Sequence, residues 1–440
     1  MRLRLLIVVF SSFLILETVY SQIANQDSLD TFFIELENNE KFMGNVLILK
    51  NQKKLYSVSL GFSNLDAAKK ANFNTKYRIG SISKTLTASL VLKAVEEGKI
   101  NLSQSIESFF PTIKNADKIN IAHLLNHHSG IHNFTSNEDF MQWHFTSKTE
   151  EEMVDVIASE ESDFEPGEKA AYSNSNYVLL SYILQKVYNK KYADILQDKI
   201  ITPLHLKHTR FGDRSLPENE KTNSYFFELK WNRVTETDES IPMGAGGIVM
   251  SAYDLSLFID GLFNGKLLSK KYLDKMLTQI DGYGMGIFKV SINNKEAYTH
   301  DGKIDGFNSV FYYFPKEQIT YVLLSNAENY SLSKINDILL KATFNQTTKI
   351  PRINPYKLSF EDLNPYLGIY TSQESPLIIT ISRNKNKLLA QPEGQKIFTM
   401  DSMDKDLFKH DKSGVTLEFV PSENKMTMKQ GEQVLNFYKQ

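Results

Sequence analysis

The 440-residue sequence contains no cysteine. Disulfides, thiolate zinc sites, iron–sulfur clusters, a cysteine nucleophile and a lipidated cysteine anchor are thereby excluded. Any chemistry must run through oxygen and nitrogen groups, or through a metal held without thiolates. Charge imbalance is missing too: 50 Lys and Arg face 52 Asp and Glu, a formal net charge of −2. That balance gives no electrostatic case for nucleic acid or an anionic membrane surface as partner. Glycine (21) and proline (12) are too scarce for a low-complexity or linker-dominated chain. What remains is ordinary for a globular protein, 41% hydrophobic and 23% charged. The length can bury a large core and allows about three domains.

The N-terminus carries the one processing signal. Arg2 and Arg4 form a basic region, Leu5 to Leu16 an apolar stretch of twelve residues, and Val19-Tyr20-Ser21 a cleavage site before Gln22. A membrane span needs about 20 apolar residues, so a secretory signal peptide over 1–21 is expected instead of an uncleaved anchor. The mature protein is then secreted or periplasmic, with no integral span.

Periodicity outlines the rest. Phe42 to Leu49 and Leu55 to Leu60 read as a hairpin around 51–54. Ser81 to Glu97 reads as a helix, with Ile82, Leu86 and Leu90 at helical spacing, Ser81 as its cap and Gly98 as its stop. Residues 100–240 are mostly helical between Pro111, Pro166 and Pro203, with a buried helix from Tyr177 to Tyr188. A Gly-rich tight turn, Gly244 to Gly247, precedes a helix from Ala252 to Phe263. Strands follow at Met285 to Val290, Ser309 to Phe314 and Ile319 to Ser325. The simplest assembly is a sheet from both ends of this region with a helical block inserted. Around 345–365 a polar, proline-bearing stretch reads as a linker. Beyond it, short strand signals at Ile369 to Thr371, Leu377 to Ser382, Lys387 to Gln391, Val415 to Val420, Lys425 to Lys429 and Val434 to Tyr438 predict a small antiparallel β-domain, a barrel or curled sheet.

Three polar clusters could carry chemistry. In Ser81-Ile82-Ser83-Lys84 the serine and lysine share one helical face. A desolvated lysine can serve as the base that a serine nucleophile needs, and a helix start offers N–H groups for a developing oxyanion. Alone, the motif is weak, and its plainer reading is a capping serine beside a solvated lysine. Tyr172-Ser173-Asn174 opens the second buried helix, and His300-Asp301-Gly302 is expected just before a strand.

Together with Tyr77 to Thr85, Ile121 to Ile131 (IAHLLNHHSGI), Pro166-Gly167, Ala171 to Leu180, Gly246 to Ser251 and Gly302 to Ser309, these clusters stand in one order. In that order the sequence resembles the serine β-lactamase and penicillin-binding-protein superfamily, in its class C β-lactamase, D,D-peptidase and esterase branch. The resemblance covers roughly residues 30–345. It implies an α+β fold, an antiparallel sheet flanked by helices with an inserted helical subdomain. The domain limits it suggests are 22–347 for the hydrolase and 348–440 for the C-terminal domain. The latter resembles lipocalin-like tails of some members through its strand pattern and Tyr366 to Tyr370, and such tails contribute to assembly or restrict the cleft. The implied roles are Ser81 as acylated nucleophile, Lys84 as its proton acceptor, and Tyr172 as the proton relay. Asn174 would bond the substrate or the lysine. His300 would face the serine across the cleft, and Gly302 would leave room for substrate. The N–H of Lys303 would form the oxyanion hole with that of Ser81. The resemblance implies no cofactor and a small-molecule or peptide substrate; the sequence carries no signal of oligomeric state.

β-Lactamases of this branch usually carry Lys-Thr-Gly where this chain has His300-Asp301-Gly302. Losing a fixed cation and gaining Asp301 disfavours a substrate carboxylate. An ester or amide substrate is expected ahead of a β-lactam or a D-alanyl-D-alanine peptide; a non-catalytic ligand-binding member is the reading from another class. His123, His127 and His128 sit at spacing that suggests a metal, but no carboxylate accompanies them and a structural turn is expected. Tyr283 and Phe307 are candidate cleft walls, and Asp254 a support for the Gly-rich turn.

Overall fold

The computed structural model describes residues 23–213, 216–353 and 356–440. The expected leader, 1–21, lies outside the described residues. Helix α1 (Gln26–Asn38) buries Leu29, Phe32, Phe33 and Leu36, one stripe at helical spacing. Strands β1 (Phe42–Lys50) and β2 (Lys53–Leu60) follow as the expected hairpin, with a tighter turn than anticipated. Asn51 and Gln52 both take left-handed φ, 49° and 61°, and the two-residue turn they make suits the strand twist.

Helices α2 (Ser83–Glu96), α3 (Asn174–Tyr188) and α4 (Ala252–Phe263) form the body of the inserted block. The chain returns to the sheet through β3 (Phe288–Ile292), β4 (Lys295–Ile304), β5 (Phe307–Phe314) and β6 (Ile319–Glu328), then closes with α5 (Leu332–Thr343). The main path of an eight-stranded sheet runs β3-β4-β5-β6-β1-β2, each pair antiparallel, while the short strand Tyr225–Phe227, paired with Trp231–Arg233, joins β6 in parallel. Strand β1 shows why the run Val46 to Leu49 is continuously apolar. Val46 and Ile48 join α1 and α5 in one core, while Leu47 and Leu49 join the helical block in the other. With both faces covered, the hydrophobic run is continuous instead of alternating. Among the described residues no helix is long and apolar enough to cross a membrane.

Several local expectations are corrected. The His300-Asp301-Gly302 cluster lies inside β4 instead of before a strand, and less than half of 100–240 is helical, the rest being mostly turns and loops. Ser81 does not cap the helix: it lies in a 3-10 turn, Gly80–Ile82, and α2 begins only at Ser83. The Gly-rich segment is a one-turn helix, Met243–Gly246, rather than a tight turn.

After the linker, eight strands among the described residues, from Gly368 to Lys439, close into an antiparallel barrel. Six were expected; Phe398–Asp404 and Leu407–His410 were not. The barrel is filled by Leu388, Met400, Phe408, Phe419, Met426 and Phe437, with the Tyr366 ring 5.0 Å from both Phe408 and Phe419. It is therefore a packed core and not an open ligand cup. The barrel docks through Lys41–Asp401 (2.5 Å), Lys334–Asp411 (2.6 Å) and Lys387–Glu40 (3.1 Å).

Candidate active site

Ser81 is presented by a turn pinned on two sides. Ile79 N–H donates to the Ile248 carbonyl at 3.0 Å, tying the turn to a small sheet made by Tyr77–Arg78, Thr209–Phe211 and Ile248–Met250. On the other side Ser309 Oγ donates to the Ile79 carbonyl at 2.8 Å, tying it to β5. Gly80 takes a left-handed φ of 51°, which glycine adopts without steric cost.

One turn on, Lys84 is fully buried, and its Nζ has three acceptors. They are Ser81 Oγ at 3.1 Å, Asn174 Oδ1 at 2.7 Å and the Ala245 carbonyl at 2.8 Å. None carries a charge. Burial therefore holds the lysine well below its ordinary pKa, against a weaker opposing pull from Asp301. Burial pushes the Tyr172 phenol up, against a weaker pull from Ser81, so it stays protonated. The lysine is shifted toward the free base and the tyrosine toward the acid, the separation that a base and a proton donor need. Asn174 is fixed by Asn133, whose Oδ1 accepts from Asn174 N–H at 3.0 Å and from Nδ2 at 3.2 Å, and by Thr135 Oγ1 at 3.1 Å.

Across from these groups runs β4. Gly302 leaves no room for a side chain: a Cβ there would lie 2.1 Å from the Ile79 carbonyl oxygen and 3.0 Å from Ser81 N. A Cβ on Gly80 would lie 2.8 Å from Lys303 N. The two nitrogens expected as an oxyanion hole thus flank one glycine–glycine contact. The bareness of Gly302 serves the chain's own packing, where substrate room was expected. His300 is buried and its Nδ1 lies 2.6 Å from the Asp301 carbonyl, which can only accept, so Nδ1 carries the proton. Burial, then Lys84, push its pKa down to about 3. At neutral pH this side chain is therefore uncharged.

Beside Ser81 opens a pocket of about 310 Å³ with an apolar wall of Phe134, Phe140, Met141, Ile241, Pro242 and Ile304. Its lining residues all lie between 81 and 305, so the barrel contributes nothing to it. Of the expected walls, Phe307 is in the core, while Tyr283 is half-buried beside the site, packed on His127 under Tyr172 and on Phe288 next to His300. The three histidines have separate surroundings. His123 is in a helix capping box, His127 lies beneath Tyr172, and His128 bonds the Asn126 carbonyl and Asp281. Asp254 accepts from His208 N–H (2.6 Å) and Thr209 Oγ1 (2.8 Å), supporting the small sheet instead of the Gly-rich segment. The sequence reading missed Asn133, the Ala245 carbonyl and the pocket wall.

The family model described as Beta-lactamase matches residues 38–343, most of the chain. The chain belongs to the Beta-lactamase family. It is a serine hydrolase of the β-lactamase and penicillin-binding-protein superfamily. Within curated relatives, protein flp of Staphylococcus aureus is 27% identical over 357 residues, 76% of this chain and 70% of that protein. Among solved structures, the octameric penicillin-binding protein homologue from Pyrococcus abyssi has a TM-score of 0.68 at 21% identity. That match covers 94% of this chain and 100% of that one, a likeness of fold. The D-stereospecific amidohydrolase from Streptomyces sp. has a TM-score of 0.61 at 26% identity, covering 73% of this chain and 99% of the other.

Proposed function

We propose that this protein is an exported hydrolase of uncharged or non-carboxylate esters or amides, working through an acyl-enzyme on Ser81. The observation that carries the reading is the buried Lys84 Nζ, shifted toward its free base, 3.1 Å from Ser81 Oγ. Lys84 takes the Oγ proton while Oγ bonds to the substrate carbonyl carbon. The oxygen of that carbonyl, now negative, is held by the N–H groups of Ser81 and Lys303. As the carbonyl–leaving-group bond breaks, Tyr172 gives the leaving group a proton and recovers one from Lys84. Water, deprotonated by the same pair, then frees the acyl group and Ser81.

Three features support the substrate class. His300 is neutral, Asp301 is near enough to act on Lys84, and one wall of the adjoining pocket is phenylalanine, methionine and isoleucine, with Lys303 and Asp305, opposite in charge, also lining it. The Streptomyces relative is called a D-stereospecific amidohydrolase, which keeps amides of D-amino acids in the panel. Residues 22–347 form the hydrolase domain in this reading, 348–440 a separate barrel domain, and 1–21 a cleaved leader that sends the protein to the periplasm or beyond. Export is tested by N-terminal sequencing of the protein recovered from its native host, where a start at Gln22 is expected. The chemistry is tested with a fluorophosphonate probe: wild type labels and S81A does not. Equal labelling of both sinks the proposal. p-Nitrophenyl esters and D-amino-acid amides are expected to turn over faster than nitrocefin or D-Ala-D-Ala peptides, and rapid nitrocefin turnover would overturn the reading of His300 and Asp301.

A further inference from the structure

His127 is used by none of the steps above, yet it holds the segment around Tyr172 through both its ring and its backbone. Its ring stacks on the Tyr172 phenol with centroids 4.6 Å apart and planes 29° from parallel. Its Nδ1 accepts the N–H of Ser173 at 3.1 Å, and its carbonyl oxygen accepts the N–H of Ala171 at 2.9 Å. The residues on both sides of Tyr172 are therefore tied to one histidine. That histidine is itself held. Its backbone has a left-handed φ of 62°, and it is 2% exposed. The rings of Tyr177 and Tyr283 flank it at 5.3 and 5.4 Å, and Asn176 Nδ2 lies 3.4 Å from the same Nδ1. Tyr172 has no regular element to fix it, since α3 begins only at Asn174.

We infer that His127 is a positioning residue for Tyr172: by bracketing its backbone and stacking on its ring, it fixes the phenol against Ser81 and Lys84. This rests on the proposed acyl-enzyme reading. Nδ1 must stay an acceptor, so the ring works in its neutral form with the proton on Nε2. Burial favours that form. The role is geometric, and misplacing a proton-transfer group by an ångström can cost about 100-fold in rate.

Two substitutions separate positioning from mere packing. H127F keeps an aromatic ring for the stack but has no acceptor for Ser173 N–H. H127N puts Oδ1 where Nδ1 was and tolerates the left-handed backbone. Steady-state hydrolysis of a p-nitrophenyl ester is measured for each variant beside its thermal midpoint. The expected result for H127F is a kcat at least tenfold lower with KM within about threefold, in a protein still folded at the assay temperature. H127N is expected to recover most of that loss. H127A takes the place of H127F should the latter not fold. Wild-type kcat in H127F overturns the inference, as does H127N no better than H127F, or a loss shared equally by kcat and KM. If wild type itself neither hydrolyses nor labels with the probe, the acyl-enzyme reading has failed instead.

Discussion

Replacing Lys84 with methionine keeps most of the side chain's volume and removes only the amine. Three acceptors then lose a donor: Ser81 Oγ, Asn174 Oδ1 and the Ala245 carbonyl. A buried acceptor left unmet costs about 1–3 kcal/mol, but Ser81 is a hydroxyl that can turn to another partner. Against the two remaining losses stands the burial of the amine, which the folded protein no longer has to bear. These terms are of like size and opposite sign. K84M is therefore expected to unfold within about 4 °C of wild type. Catalysis has no such compensation, since the proton acceptor is gone; kcat/KM is expected to fall by about 10²–10⁴. K84R is expected to be equally inactive, because a guanidinium does not give up its proton. The pH dependence has a definite sign. Burial lowers the folded-state pKa of Lys84, so kcat/KM in wild type should rise with pH as the amine deprotonates, at a midpoint well below that of free lysine. Stability should rise in the same direction between the two pKa values, because there the unfolded chain binds the extra proton. The assay is p-nitrophenyl ester hydrolysis from pH 5 to 10 beside thermal unfolding. K84M within tenfold of wild type, or inactive merely because it is unfolded, would refute the reasoning.

Other consequences are as direct. K41A strips Asp401 of its partner at the barrel seam, where the Lys41 side chain is 2% exposed and the Asp401 side chain 12%. Urea unfolding should show a loss of about 3 kcal/mol or more, largely recovered in K41M/D401L; an unchanged midpoint for K41A would remove this pair from the docking. G302A forces a Cβ to 2.1 Å from the Ile79 carbonyl and disturbs the Lys303 N–H. A drop of about 10²–10³ in kcat is expected, and a fully active G302A would show the turn to be slack. H300Q should leave the shape of the pH–rate profile from 5 to 8 unaltered, because the histidine titrates at about 3. Disappearance of an inflection near the ordinary histidine value in H300Q would contradict that.

The parts of the fold legible in the sequence are those where one local signal suffices. Ala252–Phe263 forms where it was read because Ser251 caps it and an apolar stripe fills one face. The β1–β2 hairpin was legible for the same reason. The strand Phe398–Asp404 was hidden because Asp401 breaks its apolar pattern, and only Lys41, 360 residues away in sequence, makes that carboxylate acceptable in the seam. Leu407–His410 has four residues and carries too little pattern to read. At the site, Ser81, Lys84 and Asn174 were legible as a motif because the turn and two helix starts hold them. Gly302 was legible by position but not by reason, since its neighbour is the chain's own Ile79 carbonyl. Asn133 and the Ala245 carbonyl were invisible because they act through loops whose course is set by distant packing. The neutrality of His300 depends on burial, which no short motif encodes.

The central claim is that Ser81 forms a covalent acyl intermediate with Lys84 as its base, and trapping that species tests it most directly. Wild type, S81A and K84M are each mixed with excess p-nitrophenyl ester, quenched in acid within the first turnovers, and weighed by intact-mass spectrometry with peptide mapping. The expected result is one added acyl group in wild type, on the peptide bearing Ser81, with none in S81A and only slow accumulation in K84M. Turnover by wild type with no adduct, an adduct mapped to another residue, or acylation of S81A at the wild-type rate would contradict it.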